Sequence, residues 1–241
     1  MEVNTKVIDY EEPSSSEILL KKSKTKALKA YNKLDDIGYK AVKRSFDIAW
    51  GLAGCVALAV ITPVVKIATM ASGDFKPIFY TQKRVGKDGK IIKIFKFRSM
   101  CPDADIVLDQ ILRESPELAK EWHENQKLKN DPRITKIGNV LRKTSIDEIP
   151  QFLNVLKGDM SLIGPRPLVE GELDAHGGDH KRYEAMRPGI TGWWGCNGRN
   201  DTTYQERLNL EYYYVDNASV VLDARCILKT IEAVVKKTGV Q

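Results

Sequence analysis

The sequence predicts an α+β fold dominated by helices. One domain would carry a proline-interrupted membrane helix, a short β-hairpin and amphipathic helices suited to an interface. Three observations carry this expectation. Ile48 to Val65 is an 18-residue stretch without a charge, Gly86-Lys87-Asp88-Gly89 separates two alternating segments, and apolar residues recur at helical spacing elsewhere. With 241 residues, 42% of them apolar and 29% charged, the chain has material for one domain and a modest extension. That excludes a wholly disordered chain, a collagen-like fibre and a large multidomain machine.

Residues 1–20 read as a disordered lead-in, with Glu11-Glu12-Pro13-Ser14-Ser15-Ser16 polar and punctuated and no signal-peptide order. Residues 21–44 are a basic juxtamembrane segment in which Ala30, Leu34, Ile37 and Ala41 follow at helical spacing. A helix lying on an anionic leaflet and a solvated helix covering the domain both fit. The net charge of +6 is concentrated here, because this segment holds nine basic groups against Asp35 and Asp36. Residues 1–20 are acidic by contrast, and little excess positive charge remains beyond residue 44, which opposes a nucleic-acid partner.

Residues 45–72 read as the membrane helix. Its uncharged core would reach roughly 27 Å as a straight helix, slightly short of a bilayer core of about 30 Å. Thr62-Pro63 lies near the end of that core, and an interior proline removes a hydrogen bond and kinks a helix. Lys43 and Arg44 precede it, and Lys66, Lys76, Lys83 and Arg84 follow, so positive charge on both flanks argues that both ends stay on the cytoplasmic side. A helix that enters, breaks at Pro63 and returns meets all three observations. A plain spanning helix is the competing reading.

Residues 73–241 form the remaining domain. Ile78–Val85 and Lys90–Arg98 flank the hairpin turn, residues 103–128 read as one polar helix, and Asn130-Asp131-Pro132-Arg133 interrupts it. Near the far end Ala224, Ile227, Leu228, Ile231, Val234 and Val235 make one helical stripe, either interfacial or packed on the core. Cys55, Cys101, Cys196 and Cys226 show no regular spacing, which argues for reduced thiols. His176-Gly-Gly-Asp-His180 matches no zinc pattern and reads as a loop, so a hard cation held by carboxylates is the more natural metal.

Thr144-Ser145-Ile146-Asp147-Glu148-Ile149-Pro150-Gln151 precedes a helical stripe of Phe152, Leu153 and Leu156. Pro150 is comfortable only in a first turn, which places the helix start near Asp147 and sets Asp147 and Glu148 at the positive helix end, where both should stay ionised. A bare N-cap explains the same pattern. Arg133 and Arg142 lie upstream, and downstream Pro165 and Pro167 stiffen the backbone around Arg166, whose planar fork suits phosphate oxygens. A carboxylate nucleophile, a divalent cation and rigid arginines are the parts of a phosphoryl transfer. No P-loop, kinase loop or dinucleotide fingerprint is present.

These segments resemble the bacterial sugar transferase family, the monotopic phosphoglycosyl transferases. The likeness is carried by Lys43-Arg44-Ser-Phe-Asp47, Thr62-Pro63, Lys96-Phe-Arg98-Ser-Met100, Asp131-Pro-Arg133-Ile-Thr, Asp147-Glu148-Ile-Pro-Gln151, Asn154-Val-Leu, Gly164-Pro-Arg166-Pro and Arg187-Pro-Gly-Ile-Thr191-Gly192, from about Lys43 to Val235. The resemblance implies a cytoplasmic catalytic domain on a re-entrant helix, seated in one leaflet of the bacterial inner membrane, with Lys43, Arg44, Asp47, Thr62 and Pro63 as its membrane-helix residues. It implies a Mg²⁺-dependent reaction. Asp147 would attack the β-phosphate of a UDP-sugar and release UMP, and polyprenyl phosphate would then take the phosphosugar. Glu148 would hold Mg²⁺ with Asp147 or deprotonate the acceptor. Arg166 is the leading phosphate clamp, Arg133 the second, and Arg187 would shape the nucleotide side. The tail looks closer to members serving capsule or exopolysaccharide assembly, which points to a hexose such as galactose or glucose. A second copy of the chain or the glycosyltransferases that act next are the expected protein partners.

The rival from another class is a non-catalytic membrane adaptor that recruits polysaccharide-assembly enzymes through the basic segment. Within the enzyme class, a single displacement would use Asp147 only as a metal ligand.

Overall fold

The computed structural model describes residues 37–125, 128–197 and 202–236, so the lead-in and most of the basic segment lie outside the described residues. In chain order the elements are α1 (Ile37–Ala71), β1 (Phe79–Val85), a 3-10 turn (Lys87–Gly89), β2 (Ile91–Phe97), α2 (Ala104–Glu114), α3 (Pro116–Asn125), α4 (Lys136–Lys143) and a second 3-10 turn (Ile146–Glu148). They continue with α5 (Gln151–Lys157), β3 (Ser161–Ile163), α6 (Glu172–Ala175), α7 (His180–Tyr183), β4 (Gly189–Thr191), α8 (Trp193–Asn197), α9 (Tyr204–Asn217) and α10 (Val220–Lys236). This is the expected helix-rich α+β chain.

The hairpin forms where the sequence places it. β1 and β2 pair antiparallel, from Phe79 opposite Phe97 to Val85 opposite Ile91. Asp88 and Gly89 take φ of 55° and 72°, the left-handed backbone that the tight turn requires. The polar segment after it differs from expectation, because α2 and α3 are two helices rather than one. Ser115 between them is extended, at φ −128° and ψ 105°. A proline disfavours helical backbone in the residue before it and is welcome at the first position of the next helix, so Pro116 ends one helix and opens another.

α1 joins the last basic residues to the apolar stretch in one 35-residue helix, and helical structure continues through Pro63. One of its faces is buried along the whole length, through Tyr39, Asp47, Gly51, Gly54, Leu58, Val65 and Thr69. Leu52, Val56, Val60, Val64 and Ile67 are exposed on the other side. The close approach to α5 needs glycine twice. A Cβ on Gly51 would stand 2.7 Å from Leu156, and one on Gly54 would stand 2.1 Å from the Phe152 ring. Deeper along α1, Leu58 and Val65 share a core with Ile78, Phe97 and Leu141, flanked by Ile61, Ile146 and Ile149.

Polar residues fix how α1 lies on the domain. Lys43 Nζ reaches Asp223 Oδ2 at 2.9 Å and the Tyr214 hydroxyl at 3.1 Å. Arg44 donates to the carbonyls of Val155 and Leu156, both at 2.7 Å, at the negative end of α5. Asp47 accepts from Ser161 Oγ at 2.9 Å and from the Leu162 N–H at 2.8 Å. The Lys43-Arg44-Ser-Phe-Asp47 segment is thus a docking device that joins α1 to α5, β3 and α10.

The second sheet is a parallel pair, with Ser161 opposite Gly189 and Ile163 opposite Thr191. It sets Gly164-Pro-Arg166-Pro beside Arg187-Pro-Gly189. The two backbones touch so closely that a Cβ on Gly189 would stand 2.1 Å from Gly164 N. In α10 the buried residues are Leu222, Asp223 and Cys226, and Ile227 packs against the same core. Ala224, Leu228 and Ile231 face outward with Val221, so the predicted stripe divides between core and surface as far as Ile231, the side chains of Val234 and Val235 lying outside those described.

Candidate active site

Asp147 and Glu148 lie in the second 3-10 turn, about one turn ahead of the α-helix, which starts later than the sequence suggested. α5 begins at Gln151 with Pro150 as its N-cap. The predicted helix start near Asp147 is therefore corrected: a tighter turn occupies that place, entered from Ser145 in left-handed backbone at φ 55° and ψ 16°. A non-glycine residue there carries strain of about 1 kcal/mol or more, which the surrounding packing must override. Ile146 and Ile149 supply that packing on the core of α1, and Gln151 is buried behind them.

Asn154 ties α5 to the hairpin. Its side chain is fully buried, accepts the Phe95 N–H at 3.0 Å and donates to the Lys93 carbonyl at 2.7 Å. This brings β2 against the turn, and Lys96 Nζ pairs with Glu148 Oε1 at 2.9 Å. From α4, Arg142 Nε donates to Ser99 Oγ at 2.8 Å. Asp147 is 9% exposed. Burial first and the Glu148 carboxylate second push the Asp147 carboxyl above its ordinary range, while Lys96 and Arg142 pull it back. The expectation that position at an α-helix end keeps Asp147 ionised is corrected, because Lys96 and Arg142 offset the effect of burial and of Glu148 only in part.

The two carboxylates supply hard oxygen donors. They fit a Mg²⁺ ion, which takes one or two carboxylates and completes its shell from water and phosphate oxygens. Among the described residues no group of three His, Cys, Asp or Glu side chains gathers as a ready-made cage.

The three arginines have different surroundings. Arg133 is buried, with Nε on Asp131 Oδ1 at 2.8 Å, Nη2 on Asp131 Oδ2 at 2.6 Å and its plane 5.2 Å from the Trp122 ring. The Asp131 carboxylate fills the side-on fork of Nε and Nη2, and with Arg133 5% exposed little of the guanidinium is open to a phosphate. Arg166 is exposed and lies over the Trp194 ring at 5.5 Å. Arg187 is exposed and lines a cleft of about 640 Å³ with Lys40, Lys43, Arg44 and Lys181; neither Asp147 nor Glu148 lines it.

Sequence reasoning left out Lys96 and Arg142 as site residues and found no use for Trp194. Strand alternation held the signal for Lys96, since it puts Phe95 and Phe97 on one face and Lys96 and Arg98 on the other. Nothing in the local sequence marks Trp194, whose place beside Arg166 depends on a fold contact across 28 residues.

A buried carboxylate in a turn entered through left-handed backbone, with a second carboxylate and Lys96 beside it, suits group transfer on a phosphate ester. The comparison with known proteins agrees. The model of the bacterial sugar transferase family matches residues 38–237. Similar proteins include the UDP-galactose-lipid carrier transferase of Erwinia amylovora, 42% identical over 88% of this chain and 44% of its own length. The exopolysaccharide production protein ExoY of Rhizobium meliloti is 42% identical over 82% of this chain and 87% of its own length. The undecaprenyl-phosphate galactose phosphotransferase of Salmonella typhimurium is 39% identical over 88% of this chain and 44% of its own length. The chain belongs to the bacterial sugar transferase family. It spans less than half of the two longer relatives and most of the shorter one.

Proposed function

We propose that this chain transfers a sugar 1-phosphate from a UDP-sugar to a polyprenyl phosphate in the bacterial inner membrane, as the first step of exopolysaccharide or capsule assembly. The observation that carries this reading is the turn itself: Asp147, nine-tenths buried beside the Lys96–Glu148 pair, on restrained backbone. A carboxylate oxygen of Asp147 attacks the β-phosphorus of the donor, and the bond from that phosphorus to the bridging oxygen breaks, with UMP leaving. An oxygen of the polyprenyl phosphate then attacks the same phosphorus, and Asp147 departs as a carboxylate. Asp147 and Glu148 would hold Mg²⁺, which would offset the negative charge of the diphosphate. Arg166 clamps phosphate oxygens. Two relatives are named for galactose, which favours a galactose donor here.

Packing supports a seat in one leaflet. The catalytic turn lies against Leu58, Ile61 and Val65, at the level of the apolar part of α1. If α1 stood across the bilayer, Lys96, Arg142 and Glu148 would follow it into hydrocarbon, at roughly 2.5–3.5 kcal/mol for each charge. Lying in the cytoplasmic leaflet, the helix buries its exposed apolar face in lipid while the charged turn stays at the headgroups. There it meets a lipid-borne phosphate and a soluble nucleotide sugar together.

Intact-protein mass spectrometry of detergent-solubilised protein with Mg²⁺ and UDP-galactose, without acceptor, tests the covalent route. A mass gain of one phosphosugar that is lost in Asp147→Asn is expected. Turnover on adding undecaprenyl phosphate without any adduct would point to single displacement. No turnover with a panel of UDP-sugars would favour the adaptor reading.

A further inference from the structure

Glu211 in α9 is the most deeply placed carboxylate outside the catalytic turn, at 1% exposure. Its Oε1 accepts the backbone N–H of Arg166 at 3.0 Å, and its Oε2 is buried with no hydrogen-bond partner among the described residues. On the other side of the same residue, the Tyr183 hydroxyl donates to the Arg166 carbonyl at 3.0 Å. Both peptide groups of Arg166 are therefore held by side chains from α7 and α9. Trp194 from α8 carries the guanidinium on one side, and Arg207, four residues before Glu211, stacks on that ring at 4.8 Å and on Tyr204 at 5.0 Å.

A carboxylate sealed from water with one backbone donor costs the fold more than an apolar residue would. Burial pushes Glu211 up to about 7, against the pull of the Arg166 N–H and the Arg207 and Arg166 charges. What the group supplies in return is local. It satisfies the N–H of an exposed arginine whose neighbours, Pro165 and Pro167, offer no donor of their own. It also stands where three cations crowd, since Arg84 is held below its ordinary value by burial and then by Arg166 and Arg207. We infer that Glu211, with Tyr183 opposite it, is a positioning residue that sets Arg166 for the diphosphate of an incoming nucleotide. The inference rests on the reading of Arg166 as a phosphate clamp.

The test uses the full chain in nanodiscs with Mg²⁺ and titrates UDP as the probe. Arg166→Ala and Glu211→Ala are each expected to weaken UDP by about tenfold, the scale of a charge-assisted phosphate contact. Glu211→Gln keeps an acceptor for the N–H and should stay within about threefold of the parent protein. The double variant R166A/E211A should bind no more weakly than R166A alone, because both changes act through one guanidinium. If E211A does not fold, Y183F removes the opposite tether and carries the same comparison in the presence and absence of Arg166. Equal losses from E211A in both backgrounds, parent-like affinity in a folded E211A, or E211Q as weak as E211A would each overturn the inference. Parent-like affinity in R166A would overturn the clamp reading itself.

Discussion

Asp147 and Arg166 both sit on restrained backbone, but the restraint reaches them over very different distances along the chain. Asp147 is held by its immediate neighbours: left-handed Ser145 before it, Ile146 and Ile149 around it, and Pro150 after it. Arg166 has two prolines at hand, yet its peptide groups are fixed by Tyr183 and Glu211, 17 and 45 residues further on. Asp147 is thus oriented by a local turn and Arg166 by the assembled C-terminal helices. On the proposed reading, damage to those helices should reach substrate binding while leaving the Asp147 carboxyl in place.

The largest test of that division is at the turn. Asp147→Asn should lower transfer by at least about 10³-fold. Its thermal midpoint should be unchanged or higher, because an amide no longer opposes burial. A folded variant that keeps more than a few per cent of parent activity would remove Asp147 from the chemistry.

Asn154→Ala comes next. It orphans the Phe95 N–H and the Lys93 carbonyl, so urea denaturation should show a loss of about 2–4 kcal/mol. Activity should fall with it as Lys96 loses its place over Glu148. Stability close to the parent would mean that the hairpin needs no such tie.

Tyr183→Phe acts on the other region. The loss of its hydroxyl should cost about 1–2 kcal/mol in the same denaturation experiment. Nucleotide binding should weaken, and the mass of any phosphosugar adduct at saturating donor should be unaffected. A variant that instead loses the adduct would join the two regions into one unit.

The smallest expected effect is an acid-side one. Burial raises the Asp131 carboxyl, but the hydrogen bonds and charge of Arg133 outweigh it and hold the group below its ordinary value. A folded value below the unfolded one, about 3.9, means that the pair stabilises the fold above that pH. The contribution is lost as pH falls through the lower folded value. Asp131→Asn should therefore be less stable than the parent at pH 7, by about 1 kcal/mol, with the gap closing toward pH 3. A gap that persists in acid would show that packing under Trp122, not charge, is what the pair provides.

Local rules reached a good part of this molecule. Alternation and a glycine-flanked turn gave the β1–β2 hairpin within about a residue at either end. The run from Ile48 to Val65 marked α1. The Asp147-Glu148 pair was found from residue types, although a proline that tolerates both a first α-turn and an N-cap could not say which. The Ser115-Pro116 step held the break between α2 and α3. The polar stretch around it masked that signal.

The purpose of Lys43, Arg44 and Asp47 was not legible, because a charge beside an apolar helix reads as a membrane flank whatever it later meets. Only when α5, β3 and α10 close around them do the three become the docking of α1. The sequence by itself determined what short-range sterics and periodicity can determine: the elements, the stiff turns and the carboxylate pair. The tertiary structure decided which face of α1 is lined by protein, which arginine keeps a free fork, and that Glu211 stands behind Arg166. Those outcomes depend on contacts between residues dozens of positions apart, which no local pattern encodes.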